Sequence, residues 1–340
     1  MILNIELEDR EFLDIDLDDI VYIVGHNQRK LWQLYRSLYY YFNKSPSLST
    51  SVYGDDDINF EFDGDNVPAR GSESYFISSR DSIYDQMRYK KGNMLFDTIN
   101  SFGNDFDVTQ SIENITDEVL KLEILLQSKL DKYSSHLKVN FNDLSYLDIL
   151  KSYLSVGYTD HRKDYPLEFM DTESLLDEFL NFLQSKLKSN GNTTWLVLYN
   201  IDSVISGDTQ QSLFIKLKEL MDDFDLKIIC LSHNLENIPI DRTDVEKIVL
   251  CTKNFHQLLP IDELVKSIES RYPNKLNIGH NEILESIVRT VSYVGDEKNV
   301  SLAGKDLVIL KILNDILNYE TSYCFENHLL SDAEAEFLQD

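Results

Sequence analysis

Four short, mostly apolar runs have the length and composition of strands buried on both faces. They are Ile20-Val21-Tyr22-Ile23-Val24, Trp195-Leu196-Val197-Leu198-Tyr199, Lys227-Ile228-Ile229-Cys230-Leu231 and Ile248-Val249-Leu250-Cys251. Between them the period changes. Leu31, Leu34, Tyr35, Leu38, Tyr41 and Phe42 recur at helical spacing after the first run, and Leu213, Phe214, Leu217, Leu220 and Met221 do so between the second and third. A strand, a helix and a strand in that order imply parallel pairing. Residues 1–24 predict two short strands around an acidic turn, Asp14 to Asp19. The Ser-, Asp-, Gly- and Pro-rich stretch 46–72 predicts a loop or edge hairpin around Phe60 and Phe62, and Ser74-Tyr75-Phe76-Ile77 a further strand.

The middle of the chain has a different period. Ile112, Ile115, Val119, Leu122, Leu126, Leu130 and Tyr133 advance in steps of three and four, nearly a heptad stripe on one long helix. Leu144, Leu147, Leu150 and Leu154 mark a second helix, and Leu175, Leu176, Phe179, Leu183 and Leu187 a third. The stripe is either the packing core of this region or a subunit interface. Beyond Pro260 the pattern is helical only. The predicted organisation is an α/β head in two parts (1–85 and 165–255), an inserted all-helical domain (86–164) and a C-terminal helical extension (256–340).

Composition narrows the function. No apolar run approaches the ~20 residues that span a bilayer. The start, Met1-Ile2-Leu3-Asn4-Ile5-Glu6, lacks the features of a signal peptide, and Cys230, Cys251 and Cys324 are too scattered for a disulfide framework, so a reduced cytoplasm is expected. The net charge of −27 argues against a simple monomeric DNA binder. The charge is uneven, however: residues 67–165 carry 15 acids and 12 bases, against 14 and 5 in residues 1–66.

Gly25 ends the first buried strand and opens a helix, the mechanical parts of a phosphate cradle. The chemistry needs G-x-x-x-x-G-K-[ST]. Counting from Gly25, those last three places hold Lys30, Leu31 and Trp32. Leu31 has no charge for phosphates and Trp32 no oxygen for magnesium. Lys30 stands one place early, a rotation of roughly 100° on a helix. The second strand ends in Asn200-Ile201 where an ATPase would carry an acidic pair, with Asp202 two residues on. The third ends in Ser232-His233-Asn234, the place of a switch histidine. The residues fit a phosphate-loop framework without catalysis, and equally an ordinary α/β core.

Other constellations are weaker. Asp55-Asp56-Asp57 and Asn59-x-Glu61-x-Asp63-Gly64-Asp65 echo a calcium loop, but Glu61 and Arg70 stand at two ligand positions where that loop needs other residues. The seven histidines show no zinc spacing and no nucleophile triad can be assembled. Arg80, Arg88, Lys90 and Lys91, interleaved with Tyr84, Met87 and Tyr89, form a basic run suited to phosphates, or ordinary surface charge. Lys121, Lys129, Lys132 and Lys138 extend it.

The ordered set of Met1-Ile2-Leu3-Asn4-Ile5, Asp19-Ile20-Val21-Tyr22-Ile23-Val24, Asn93-Met94-Leu95-Phe96-Asp97-Thr98-Ile99, Phe106-Asp107-Val108-Thr109, Leu147-Asp148-Ile149-Leu150-Lys151-Ser152-Tyr153-Leu154, Leu196-Val197-Leu198-Tyr199-Asn200 and Ile248-Val249-Leu250-Cys251-Thr252-Lys253-Asn254 resembles the Csn2 family of type II-A CRISPR systems, in a long form. The resemblance implies a degenerate P-loop (ABC/RecA-like) head without nucleotide hydrolysis. It implies a homotetrameric ring around double-stranded DNA, entered at ends, with calcium stabilising the ring. The implied partners are the two integrase proteins and the RNA-guided effector nuclease. It places DNA contact on Arg80, Arg88, Lys90 and Lys91. The loop Asn140-Phe141-Asn142-Asp143 is poorer in carboxylates than that of short members, which puts calcium in doubt and names no ligand. A ring would also reconcile acidity with DNA, bases facing the bore and acids outward. Two other classes stay open: a nucleotide-switched ATPase, and an interaction scaffold without DNA contact.

Overall fold

The computed structural model describes residues 1–7, 11–43, 58–68, 72–189, 191–274, 276, 279–296, 302, 304–320 and 331–338. In chain order the strands are β1 (Ile2–Glu6), β2 (Phe12–Asp16), β3 (Ile20–Val24), β4 (Phe60–Phe62), β5 (Asp65–Asn66), β6 (Glu73–Ile77), β7 (Gly157–Asp160), β8 (Lys163–Pro166), β9 (Thr194–Tyr199), β10 (Leu226–Ser232), β11 (Ile248–Cys251) and β12 (Phe255–Gln257). The helices are α1 (Gln28–Asn43), α2 (Arg80–Gln86), α3 (Met94–Ser101), α4 (Phe106–Leu130), α5 (Tyr146–Tyr153), α6 (Thr172–Ser189), α7 (Gly207–Asp223), α8 (Ile261–Arg271), α9 (His280–Thr290), α10 (Gly304–Ile316) and α11 (Asp332–Phe337). They form two compact units, one of Met1–Arg80 with Gln184–Asp340 and one of Asp81–Leu183.

The first unit holds a six-stranded sheet in the order β12-β11-β3-β10-β9-β6. The five strands from β11 to β6 pair in parallel, and β12 closes one edge antiparallel. Every residue of β3 and β10 is buried, as expected of central parallel strands covered on both faces. A second sheet, β2-β1-β4-β5, is antiparallel. Its β2 overturns part of the sequence expectation. Asp14 and Asp16 are not in a turn but on the outward face of a strand whose Leu13 and Ile15 point inward. The alternation is that of a half-solvated strand. The two sheets share a core with α1, where Trp195 lies 5.2 Å from Phe60 and 6.0 Å from both Phe42 and Phe62, ring centre to ring centre.

Helices α8 to α10 belong to this same unit. Their Leu264, Val265, Ile268, Ile283, Ile287 and Leu310 are buried, and Asp306 of α10 is held by Arg289 Nε at 2.9 Å and by the Ser286 hydroxyl.

In the second unit α4 is capped by Asp105, whose carboxylate accepts from the amides of Asp107 and Val108. Helix α5 begins in a capping box, Ser145 with Asp148. This unit is not all-helical, as the sequence suggested. It contains the hairpin β7–β8, with His161 and Arg162 in left-handed conformation at its tip and Tyr158 stacked on Tyr165. The strands are polar on both faces and the tip lacks the usual Asn-Gly, so neither signal of a hairpin was present.

Candidate nucleic-acid interface

Residues 87–93 connect α2 to α3 as a tight turn. Buried Met87 anchors its start. The Asn93 side chain donates back to the carbonyl of Asp85, and the Asn93 amide to that of Lys90. Gly92 takes a φ of 93°, which a side chain would resist. The Tyr89 hydroxyl donates to Asn100 Oδ1 at 2.8 Å while its ring packs on Phe96. The turn is therefore fixed at its apolar positions, and Arg88, Lys90 and Lys91 between them are exposed. Arg88 lies over the Tyr84 ring and 3.1 Å from Asp85. Among the described residues neither Lys90 nor Lys91 has an acidic partner within ion-pair distance. Arg80 is half-buried, makes contacts of its own and ends the other unit, so it is not part of this turn. Lys121, Lys129, Lys132 and Lys138 are exposed along and beyond α4, with Lys121 bound to Glu118. Sequence reasoning passed over Arg162 and Lys163, both exposed at the β7–β8 tip. The signal was there, three consecutive basic-type residues at 161–163.

The other candidate place is the carboxyl edge of the parallel sheet, where the chain leaves β11 and β3 in opposite directions and ligands of open α/β folds bind. Here that crevice is filled by the protein itself. A Cβ on Gly25 would lie 2.2 Å from the Cys251 carbonyl oxygen, so only glycine fits. Asn27 caps α1, accepting from the Lys30 amide, and its own amide donates to the Thr252 carbonyl at 2.7 Å. The backbone N–H groups of Gln28, Lys30 and Leu31 are already bonded to His26 and Asn27. The Lys30 ammonium is engaged within the protein. It donates to the Lys253 carbonyl at 2.7 Å, pairs with Glu11 at 2.8 Å and lies over the Phe255 ring. Leu31 is in the core, and Trp32 stacks on Tyr35. Tyr319, after α10, bonds both Thr252 and His256 beside this loop.

Asp202 accepts from Asn234 at 3.2 Å, and Asn200 reaches Gln28, which in turn meets His233. Asn200 adopts the left-handed conformation, φ 46°. One oxygen each of Asn200 and Asp202, and His26 Nδ1, are buried without a partner among the described residues. Cys230 and Cys251 are free, buried thiols. Burial pushes the Cys251 thiol up to about 12 and that of Cys230 higher still, so neither is a nucleophile. Cys324 and Asp55-Asp56-Asp57 lie outside the described residues. Of the calcium-like segment, Asp63 accepts from the Ile2 amide and Glu61 from Asn59. Among the described residues no three His, Cys, Asp or Glu side chains come together to hold a metal ion. Glu123 of α4 accepts from the Phe141 amide of the 140–143 loop.

The sequence model of the CRISPR-associated protein Csn2 family, subfamily St, matches residues 6–339. The chain belongs to the Csn2 family. A solved structure, Stu0660 of Streptococcus thermophilus, superposes with a TM-score of 0.85 at 20% identity, covering 100% of this chain and 99% of that one. That likeness extends the fold over the whole Csn2-family chain, α8 to α11 included. CbiO1 from Clostridium perfringens, part of the ABC transporter complex cbiONQ, gives a TM-score of 0.40 at 11% identity over 80% of this chain and 95% of that one, too low to carry the fold. Comparison with curated proteins gives no match. Among the described residues no helix is long and apolar enough to cross a membrane.

Proposed function

We propose that this chain is a non-catalytic protein that forms a homotetrameric ring and binds double-stranded DNA, ends above all, during CRISPR spacer acquisition. The integrase proteins and the RNA-guided effector nuclease are the expected partners. Binding runs through the phosphate backbone, without base readout. The observation that carries this reading is the fixed 87–93 turn, which holds Arg88, Lys90 and Lys91 outward on a chain of net charge −27. Flexible surface lysines need no such scaffold. Family membership supports the CRISPR setting. The apolar residues left exposed on α4 support self-association. The head is read as an old phosphate-loop scaffold. The internal partners of Gly25, Asn27 and Lys30 speak against nucleotide binding there.

The test is a gel shift with linear and closed-circular duplexes across a salt series. Linear DNA is expected to bind regardless of sequence, with affinity falling steeply with salt, and closed circles to bind weakly. Changing Arg88, Lys90 and Lys91 together to Glu is expected to abolish binding while the oligomer persists in analytical ultracentrifugation. Unchanged binding refutes the assignment of this surface. A species that stays single and ignores linear duplexes refutes the ring.

A further inference from the structure

The Asp81–Leu183 unit contains a groove of about 620 Å³ that the DNA reading leaves unused. One wall is the whole of β7, Gly157 to Asp160. Among the described residues β7 pairs with β8 alone, so alternate backbone N–H and C=O groups face its free edge. The two edges of this hairpin are not equivalent. Strand β8 ends in Pro166, which has no N–H and blunts that side, whereas β7 has no proline. The floor is apolar: Met87, Leu95, Leu167, Phe169 and Met170, with Phe169 still 67% exposed. The hairpin is braced by the Tyr158 hydroxyl, which donates to the Phe169 carbonyl at 3.0 Å, and by Thr159, which bonds Asp164.

The charges lining this groove have one sign. Asp160, Asp171 and Glu178 contribute carboxylates, and no lining residue is a lysine or arginine. Asp171 stays ionised, held below the usual carboxylate range by hydrogen bonds from Ser174. His161, next to Asp160 at the hairpin tip, brings its ring nitrogen to 3.8 Å from that carboxylate but does not line the groove. A free strand edge, an apolar floor and carboxylates with no lysine or arginine in the lining together select a ligand with a polypeptide backbone, apolar anchors on one face and positive charge on the other.

We propose that this groove is a docking site for an extended basic peptide segment of a partner protein, added as a strand to the free edge of β7. The acidic lining calls for a basic segment, and a second copy of this chain is the competing occupant that the oligomeric state tests. Met87 is common to the groove and to the 87–93 turn, but the variants that test each place leave it unchanged, so loss of one leaves the other testable.

The experiment is fluorescence anisotropy of the full chain with a labelled nonapeptide alternating lysine and valine. The comparison is the same peptide N-methylated at alternate residues, which keeps the charge and removes the edge donors. The unmodified peptide is expected to bind at least about tenfold more tightly, and the Asp160→Lys, Glu178→Lys double variant to weaken it by at least about tenfold. Circular dichroism checks that the variant is folded, and R88E/K90E/K91E is expected to bind the peptide as the parent does. Equal binding of the two peptides, or an unaffected double variant, overturns the proposal in favour of bulk charge attraction. No peptide binding, with a changed oligomeric state in the double variant, overturns it in favour of an interface between copies.

Discussion

The central strands of the head and the long helix α4 are both rich in apolar residues, yet they end in opposite conditions. All of β3 and β10 is buried, while none of the 25 residues of α4 is. Leu120, Leu122, Ile124 and Leu125 are exposed, Ile124 at 71%. The head satisfies itself because its strands have sheet neighbours on both sides and helices on both faces. Helix α4 presents apolar residues on more than its heptad stripe, and the Asp81–Leu183 unit covers none of them completely. Periodicity specifies a face; it does not supply that face with a partner. The proposed ring would supply it.

The sharpest way to break this comparison is to truncate one large side chain in each region. Trp195→Ala is expected to cost about 3–5 kcal/mol, because it opens a cavity among Phe42, Phe60 and Phe62. The indole N–H has no partner among the described residues, so no hydrogen bond is lost with it and the cost is one of packing. Ile124→Ala is expected to leave protomer stability within about 0.5 kcal/mol but to shift the oligomer toward smaller species. Urea denaturation and sedimentation velocity measure the two effects. If the helix variant unfolds as readily as the head variant, α4 is covered within the protomer and the contrast is lost.

The same contrast marks how much was legible beforehand. The four buried strands were readable as apolar runs, since a strand buried on both faces leaves no polar position to confuse the pattern. The β9-α7-β10 unit followed from the change of period. The sheet order did not, because β6 and β11 join opposite sides of the sheet through pairings between residues more than a hundred positions apart. The basic run was visible as composition. Its rigidity was not, since it depends on Tyr89 reaching Asn100 and on Asn93 folding back. The half-burial of Arg80 was equally hidden. Lys30 is the clearest case. Its displacement by one place from the phosphate-binding position could be counted, but its partners, Glu11 and Lys253, lie far away in sequence in both directions.

Lys30 gives the next prediction. It is buried and donates to a backbone carbonyl, whereas Lys121 on α4 forms an exposed pair with Glu118. Lys30→Met is expected to destabilise by about 1–3 kcal/mol, mostly from the unpaired Lys253 carbonyl. Lys121→Met is expected to change nothing measurable, as exposed helix pairs contribute little. Thermal melts of the two variants against the parent decide it. If Lys30→Met were neutral and instead conferred ATP binding in calorimetry, the carboxyl edge would be a masked nucleotide site rather than a sealed one.

The smallest expected effect concerns acid. In the head, Lys218 links Asp241 at 3.3 Å and Asp244 at 2.5 Å. Burial pushes the Asp241 carboxyl up, but hydrogen bonds from the Thr243 amide and hydroxyl, with the Lys218 ammonium, outweigh it and hold the group down at about 2. An unfolded aspartate titrates near 3.9. A depressed folded value contributes stability that is present above about pH 4 and is lost as pH falls through about 2. Because the Asp241 side chain is 61% exposed, solvent screening keeps the contribution under about 1 kcal/mol. Asp241→Asn is therefore expected to be slightly less stable than the parent at pH 6 and indistinguishable from it near pH 2. Denaturant midpoints at the two pH values test this. A deficit that stays constant across that range would mean the carboxylate acts through shape and hydrogen bonding alone, and that the head's self-sufficiency owes nothing to this charge.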